Sequence, residues 1–280
     1  MTPENPSGAA PGPAAPPELC RYTVEDGVAI LTLHNPPANT YSYQMMQALD
    51  AAILRARMDE AAHVILLTGA GEKFFCAGAD IAMLDRVTPA FKYSFCLHAN
   101  ETLLRLEQTP KLVIAALNGH CVGGGLEVAL AADLRVAPAG ATFKLGLPEV
   151  GLGVLPGTGG TQRLPRVVGA ARALALMVKG QNLSVESAHG LGLITDLLTP
   201  PPGQSFLAAA LEYARGFCPP ARAALAVGSI KRAVQSGAEL PLAAGLALER
   251  ELQQQLFQSA DAKEGISAYV QKRPARFQGK

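Results

Sequence analysis

Twice in this sequence a short apolar run gives way to a glycine-bearing loop and then to a helical stretch. The first unit runs from Val64-Ile65-Leu66-Leu67 through Gly69 and Gly71 to Ala77-Gly78-Ala79-Asp80. The second runs from Leu112-Val113-Ile114-Ala115-Ala116 through Asn118-Gly119 to Gly123-Gly124-Gly125. A third, shorter unit comprises Leu134-Arg135-Val136, Ala141-Thr142-Phe143, a Gly/Pro-rich loop and a helix near Ala170 to Val178. Continuous apolar runs suit buried parallel strands. Repeated strand–loop–helix units with glycine at the loop mouth imply an α/β fold of stacked layers, with a site at the loops.

The flanking segments read differently. Residues 1–18 hold six of the 21 prolines and no apolar h-region, so they are expected to form a disordered tail rather than a signal peptide. Folded structure should begin near Cys20, with strands over Arg21–Val24 and Val28–Leu33 joined at Glu25-Asp26-Gly27. Ser42 is placed to cap a helix carrying Met45, Met46, Leu49 and Ile53. A further helix spans Ala90 to Glu107. After Leu198 a hinge, Pro200-Pro201-Pro202-Gly203, precedes only helical patterns. The chain thus divides into a tail (1–18), an α/β core (19–199) and a helical region (200–280).

Composition removes several function classes. Lys and Arg total 24 against 23 Asp and Glu, a net charge of +1, which gives no basic stripe for nucleic acid. Hydrophobic residues at 49% supply a sizeable core, yet no charge-free apolar stretch approaches the ~18–20 residues of a membrane span. Five cysteines, an odd number without a C-x-x-C pair, fit small core thiols in a reducing, cytoplasmic setting. The five histidines show no ligand spacing, so no metal site is expected. Phosphate-loop, zinc-helix and serine-elbow motifs are absent, and Gly157-Thr158-Gly159-Gly160 lacks dinucleotide-loop spacing.

The two glycine loops remain. Glycines let a backbone approach a ligand closely, and the helix after Gly123-Gly124-Gly125 begins with free N–H groups. Ala77-Gly78-Ala79-Asp80 offers the same in the preceding unit. Two such N–H groups facing one oxygen make an oxyanion hole. Glu127 lies in the first turn of the helix after the glycines, where a dipole alone would favour it. Glu149 follows Pro148 in an otherwise apolar loop, where charge is costly. Two carboxylates beside such a hole can add or remove water, or move a proton next to a carbonyl. Spacing leaves that choice open.

At these residues the sequence resembles the crotonase family, the enoyl-CoA hydratase/isomerase superfamily. The matching pieces are Ala77-Gly78-Ala79-Asp80-Ile81, Asn118 to Glu127, Leu147-Pro148-Glu149-Val150, Leu155 to Leu164, and Glu264 to Arg273, in family order. The resemblance implies a spiral of ββα turns with a helical C-terminal trimerisation region, assembled as a homotrimer or as a hexamer (a dimer of trimers). It implies an acyl-CoA substrate, with no cofactor beyond the CoA moiety. The oxyanion hole would be the N–H groups of Ala79 and Gly124. Glu127 would position or activate water, Glu149 would supply a proton, and Gly157 would contribute a backbone contact near that water. Contacts to CoA would come from Ala38, Ala79, Asp80, Ile81 and Gly124, with Tyr269 and Lys272 reaching in from a neighbouring subunit. Members with glutamates at both positions are typically trans-2-enoyl-CoA hydratases; isomerases commonly keep only the later one.

Two departures stand out. The lysine frequent after Ala-Asp-Ile is Ala82 here. The segment Phe143-Lys144-Leu145-Gly146-Leu147-Pro148-Glu149 is two residues longer than the usual Phe-Gly-x-Pro-Glu, which implies a reshaped pocket wall. The alternatives are an isomerase, a specialised dehydratase on the same scaffold, and a non-catalytic acyl-CoA or RNA binder. The paired glutamates weigh against a mere binder, and the near-zero net charge weighs against RNA.

Overall fold

The computed structural model describes residues 18–280, so the segment assigned to a disordered tail lies outside the described residues up to residue 17. Strands β1 (Cys20–Glu25) and β2 (Val28–Leu33) form an antiparallel hairpin. Its turn residues Asp26 and Gly27 have φ of 46° and 84°, the left-handed pair that a two-residue turn between twisted strands requires. Helix α1 (Tyr43–Met58) starts as expected, with the Ser42 side chain accepting the Met45 N–H.

The chain then alternates between two sheets. Strand β3 (Val64–Gly69) enters the first and β4 (Phe74–Cys76) the second, followed by α2 (Ile81–Leu84) and α3 (Pro89–Glu107). Strands β5 (Leu112–Ala116) and β6 (His120–Val122) repeat this and lead to α4 (Gly124–Leu130). Strands β7 (Leu134–Pro138) and β8 (Lys144–Gly146) repeat it again, followed by a 3₁₀ turn (Glu149–Leu152), α5 (Gly160–Val168) and α6 (Ala170–Val178). A last turn comprises β9 (Asn182–Ser184), α7 (Val185–Gly190) and β10 (Asp196–Leu198). The large sheet has the order β1-β2-β3-β5-β7-β10 and the small one β4-β6-β8-β9. All neighbours beyond the first hairpin run parallel except β8 with β9. This is the ββα spiral that the family resemblance implies, built from the stacked units read in the sequence.

The apolar runs are continuous because both faces of the large sheet are covered. Ala29, Leu31, Ile65, Leu67, Val113 and Ala115 bury one face against α1, α3 and α4. The alternate residues Val28, Ile30, Val64, Leu66, Leu112 and Ile114 bury the other. That second face is sealed by α8 (Phe206–Arg215) through Ala210, Leu211 and Ala214. Helices α9 (Ala224–Gly237), α10 (Leu242–Phe257) and α11 (Ala260–Val270) follow. Helix α9 is held by a buried ion pair, Lys231 Nζ to Asp133 Oδ2 at 2.9 Å. Asp133 also accepts the Val113 N–H, and Lys231 donates to the Lys111 carbonyl, so one charged cluster ties α9 to β5.

Two local expectations are corrected. The third unit's second strand is Lys144–Gly146, not Ala141-Thr142-Phe143. The Ala141 N–H closes a turn onto Pro138, and the strand register is set by pairing of Leu145 with Cys121 and Leu183. Strand β8 lies within the stretch that is longer than the family's usual spacing. The Gly/Pro-rich segment also contains a helix, α5, despite Pro165 inside it. A proline there removes only one backbone donor, and the helix buries Leu164 and Val168.

Candidate active site

The site forms where α4 begins. Gly123 has φ 55°, and its N–H donates to the Gly146 carbonyl at 2.8 Å. A Cβ there would lie 3.1 Å from Glu149 Oε1. At Gly124 a Cβ would run into the Tyr41 hydroxyl, so this backbone passes where any other residue would collide. Gly124 opens the helix, and its N–H has no intrahelical acceptor.

Tyr41 organises the facing loop. Its N–H donates to the Gly78 carbonyl at 2.9 Å, and its own carbonyl accepts the Asp80 N–H at 3.0 Å. In this parallel bridge the middle residue, Ala79, turns its N–H away from Tyr41. The two loops touch, since a Cβ on Gly78 would stand 3.1 Å from Gly124 N. Among the described residues neither the Ala79 nor the Gly124 N–H has an acceptor. The reason differs from the expected one at the first loop. There α2 is a single turn whose Met83 N–H is taken by the Asp80 side chain, so bridge geometry rather than a helix dipole frees Ala79.

Glu127 is buried, with 2% of its surface exposed. Its Oε1 accepts the Thr158 N–H at 2.7 Å and the Gly160 N–H at 2.8 Å. It therefore serves the start of α5, not its own helix. Burial raises its pKa, while the Gly160 and Thr158 N–H groups, the Thr158 hydroxyl and the Lys92 charge act the other way. Glu149 opens the 3₁₀ turn half-buried, and its Oε2 is buried without a partner. Burial above all, reinforced by the Glu127 charge, pushes its carboxyl up to about 7. The environments differ: two backbone amides favour the Glu127 carboxylate, whereas Glu149 has an oxygen that a proton would satisfy. A pair of this kind fits one base and one acid at neutral pH.

Helix α3 closes the site from the side. Lys92, Cys96 and Asn100, spaced by four, share one helical face. Asn100 Nδ2 donates to the Gly157 carbonyl at 3.4 Å, and Cys96 Sγ stands 3.3 Å from a Cβ placed on Gly157. Cys96 is accordingly only half-buried, a correction to its reading as a core thiol; the other four cysteines are buried. A cavity of about 900 Å³ lies behind the 157–160 loop, between α3, α5 and α9, and does not contain the carboxylates. Its walls carry the paired charges Arg163–Glu107 and Arg166–Glu239.

The structure thus gathers Ala79, Gly124, Glu127, Glu149 and Gly157. The Ala38 carbonyl accepts the Ala77 N–H at 3.0 Å beside them, Asp80 caps α2, and Ile81 is exposed. Tyr269 and Lys272 stand apart at the end of α11, exposed, and no hydrogen bond among the described residues joins them to this cluster. Tyr41, Thr158 and Lys92 were not singled out by the sequence reading. The available signal was a tyrosine directly before the cap of α1, in a segment that has to pack against a glycine loop.

Comparison with known proteins supports the same reading. A family model described as enoyl-CoA hydratase/isomerase matches residues 23–280. The short-chain-enoyl-CoA hydratase of Clostridium acetobutylicum is 36% identical over 250 residues, 89% of this chain and 93% of its own. The (E)-benzylidenesuccinyl-CoA hydratase of Thauera aromatica is 36% identical over 259 residues, 91% of this chain and 97% of its own. A solved enoyl-CoA hydratase from Geobacillus kaustophilus superposes with a TM-score of 0.88 at 41% identity, covering 95% of this chain and 98% of that one.

Proposed function

The chain belongs to the enoyl-CoA hydratase/isomerase family, and from that premise we propose that it is a hydratase adding water across the C2=C3 bond of trans-2-enoyl-CoA thioesters. The observation that carries the choice is the pair of unlike carboxylates. Glu127 is held by the Thr158 and Gly160 amides, and Glu149 has a buried, unpartnered oxygen.

In this reading the thioester oxygen accepts the Ala79 and Gly124 N–H groups, which stabilise the enolate as charge develops. Water sits between the carboxylates, with the Gly157 backbone beside it. Glu127 takes a proton from the water as its oxygen bonds to C3, and Glu149 gives its proton to C2. The product is the 3-hydroxyacyl thioester, and the carboxylates exchange roles in the reverse dehydration. The CoA moiety runs past Ala38, Asp80 and Ile81. Tyr269 and Lys272 of a neighbouring copy complete its site in a trimer or a dimer of trimers.

The test is loss of the conjugated-thioester absorbance on adding a panel of trans-2-enoyl-CoAs to the purified protein. Loss of the band with a 3-hydroxyacyl-CoA product is the expected result. An unchanged band across the panel refutes the proposal, and a product whose double bond has only moved makes the protein an isomerase.

A further inference from the structure

Glu127 takes both of its hydrogen bonds from one short loop, so whatever holds that loop also holds the carboxylate. The Thr158 and Gly160 N–H groups donate to Glu127 Oε1 at 2.7 and 2.8 Å. The Thr158 side chain is fixed by Tyr41, whose hydroxyl lies 3.0 Å from Thr158 Oγ1. The loop carbonyls are met by two further side chains. Asn100 Nδ2 reaches the Gly157 carbonyl, which shares a peptide group with the Thr158 N–H. Arg163 Nη1 donates to the Thr158 carbonyl at 3.4 Å. The same guanidinium covers Gly159, where a Cβ would collide with Nη1 and where φ is 106°. Only glycine offers both that space and that backbone.

Arg163 is itself anchored. Its Nη2 and Nε meet Glu107 Oε2, at the end of α3, at 2.9 and 3.2 Å. Only 13% and 29% of the two side chains is exposed. A charge-assisted contact through two guanidinium nitrogens fixes direction as well as distance. The pair walls the cavity of about 900 Å³ behind the loop.

We propose that Arg163, anchored on Glu107, is a positioning residue for Glu127: it braces the 157–160 loop from behind and so keeps the Thr158 and Gly160 amides on the carboxylate. The points it touches, the Thr158 carbonyl and Gly159, lie between those two amides. The inference rests on the hydratase reading for its effect on turnover, not for the geometry of the brace. A simple tie between α3 and α5 would serve stability alone, and a lysine separates the two roles.

The test compares Arg163→Ala and Arg163→Lys with the wild type, each as the assembled protein. Arg163→Ala should lower kcat roughly 10–100-fold, the scale of a misplaced catalytic group, with KM for enoyl-CoA within about twofold. Guanidinium ion added to this variant should enter the cavity and restore part of the lost kcat, whereas sodium at the same ionic strength should not. Arg163→Lys keeps a charge opposite Glu107 but lacks the planar fork. It should hold a Tm close to that of the wild type and still lose kcat. Wild-type kcat in Arg163→Lys, or an Arg163→Ala variant that guanidinium does not revive, overturns the proposal. If Arg163→Ala does not fold, Arg163→Lys decides it alone. If the wild type turns over no enoyl-CoA, the hydratase reading fails, and the brace is read from amide hydrogen exchange of residues 157–160 by mass spectrometry. Exchange there should quicken in Arg163→Lys, and an unchanged rate overturns the proposal.

Discussion

Glu149 is the residue whose surroundings make the sharpest forecasts. Gln keeps its shape but transfers no proton, so Glu149→Gln should cut turnover by roughly 10²–10⁴-fold, and Glu127→Gln likewise. Affinity for product CoA thioester, measured by calorimetry, should survive in both, because the Ala79 and Gly124 amides are untouched. Normal turnover in Glu127→Gln would leave that residue as no more than a tie to α5. Stability gives a second readout. Burial lifts the Glu149 carboxyl from an ordinary 4.5 to about 7, so the folded protein binds this proton more tightly than the unfolded chain. The stability that goes with the proton is complete below 4.5 and is lost as pH rises through about 7. Glu149→Gln, neutral throughout, should therefore melt above the wild type at about pH 8, and the gap should close by about pH 4. An equal Tm at both pH values would show the group to be solvated. Stability and proton transfer pull against each other at this side chain.

Among the elements, α9 depends on a charged contact rather than on apolar area. Only 4% of the Lys231 side chain and 8% of that of Asp133 is exposed, so removing one partner strands the other charge. Lys231→Met alone should cost about 3–5 kcal/mol by chemical denaturation. Adding Asp133→Asn, which keeps an acceptor for the Val113 N–H, should recover most of that loss. A double variant as unstable as the single would mean that packing, not the unpaired charge, is at stake. Helix α4 is tied differently. Its start is fixed by contact with the Tyr41 hydroxyl, so Gly124→Ala has to displace either the ring or the amide. It should lower turnover by at least about 100-fold, a loss typical for an oxyanion donor, with the far-UV circular dichroism unchanged.

Over the whole molecule, the helices after residue 200 pack first on their own core. Helix α8 covers the large sheet, and Asp261 of α11 accepts the Gln278 and Gly279 N–H groups at 2.7 and 2.8 Å, folding the C-terminus back. The far side of α10 and α11 stays apolar and open, with Leu242 78%, Phe257 58% and Tyr269 86% exposed. A trimer would cover such a face, so light scattering should report three or six copies. Subunit mixing then tests who supplies Tyr269 and Lys272. Tyr269→Ala/Lys272→Ala should raise KM for enoyl-CoA with little change in kcat. Co-assembly with Glu149→Gln protomers should restore low-KM sites, because each inactive protomer lends its intact α11 end to an active neighbour. No recovery on mixing would place those residues in the site of their own chain.

The repeated units, the hairpin with its Asp26-Gly27 turn, the Ser42 cap and the two glycine loops were legible in the amino-acid sequence. Each is written in residues close together, through continuous apolar runs, a turn dipeptide or a cap three residues from its amide. Tertiary structure alone decided what the carboxylates experience. The Glu127 partners lie 31 and 33 residues away, and Tyr41 meets Thr158 across 117, so no local pattern encodes them. The same holds for β8, whose register Cys121 and Leu183 impose, and for α5, whose opening Gly160 N–H and preceding Thr158 N–H both go to Glu127. Chain-local chemistry determines the repeated units, the hairpin and the first capped helix, and their order along the chain. Desolvation and hydrogen-bond partnership depend on what the fold brings against a group, and these separate Glu149, with its unpartnered oxygen, from Glu127.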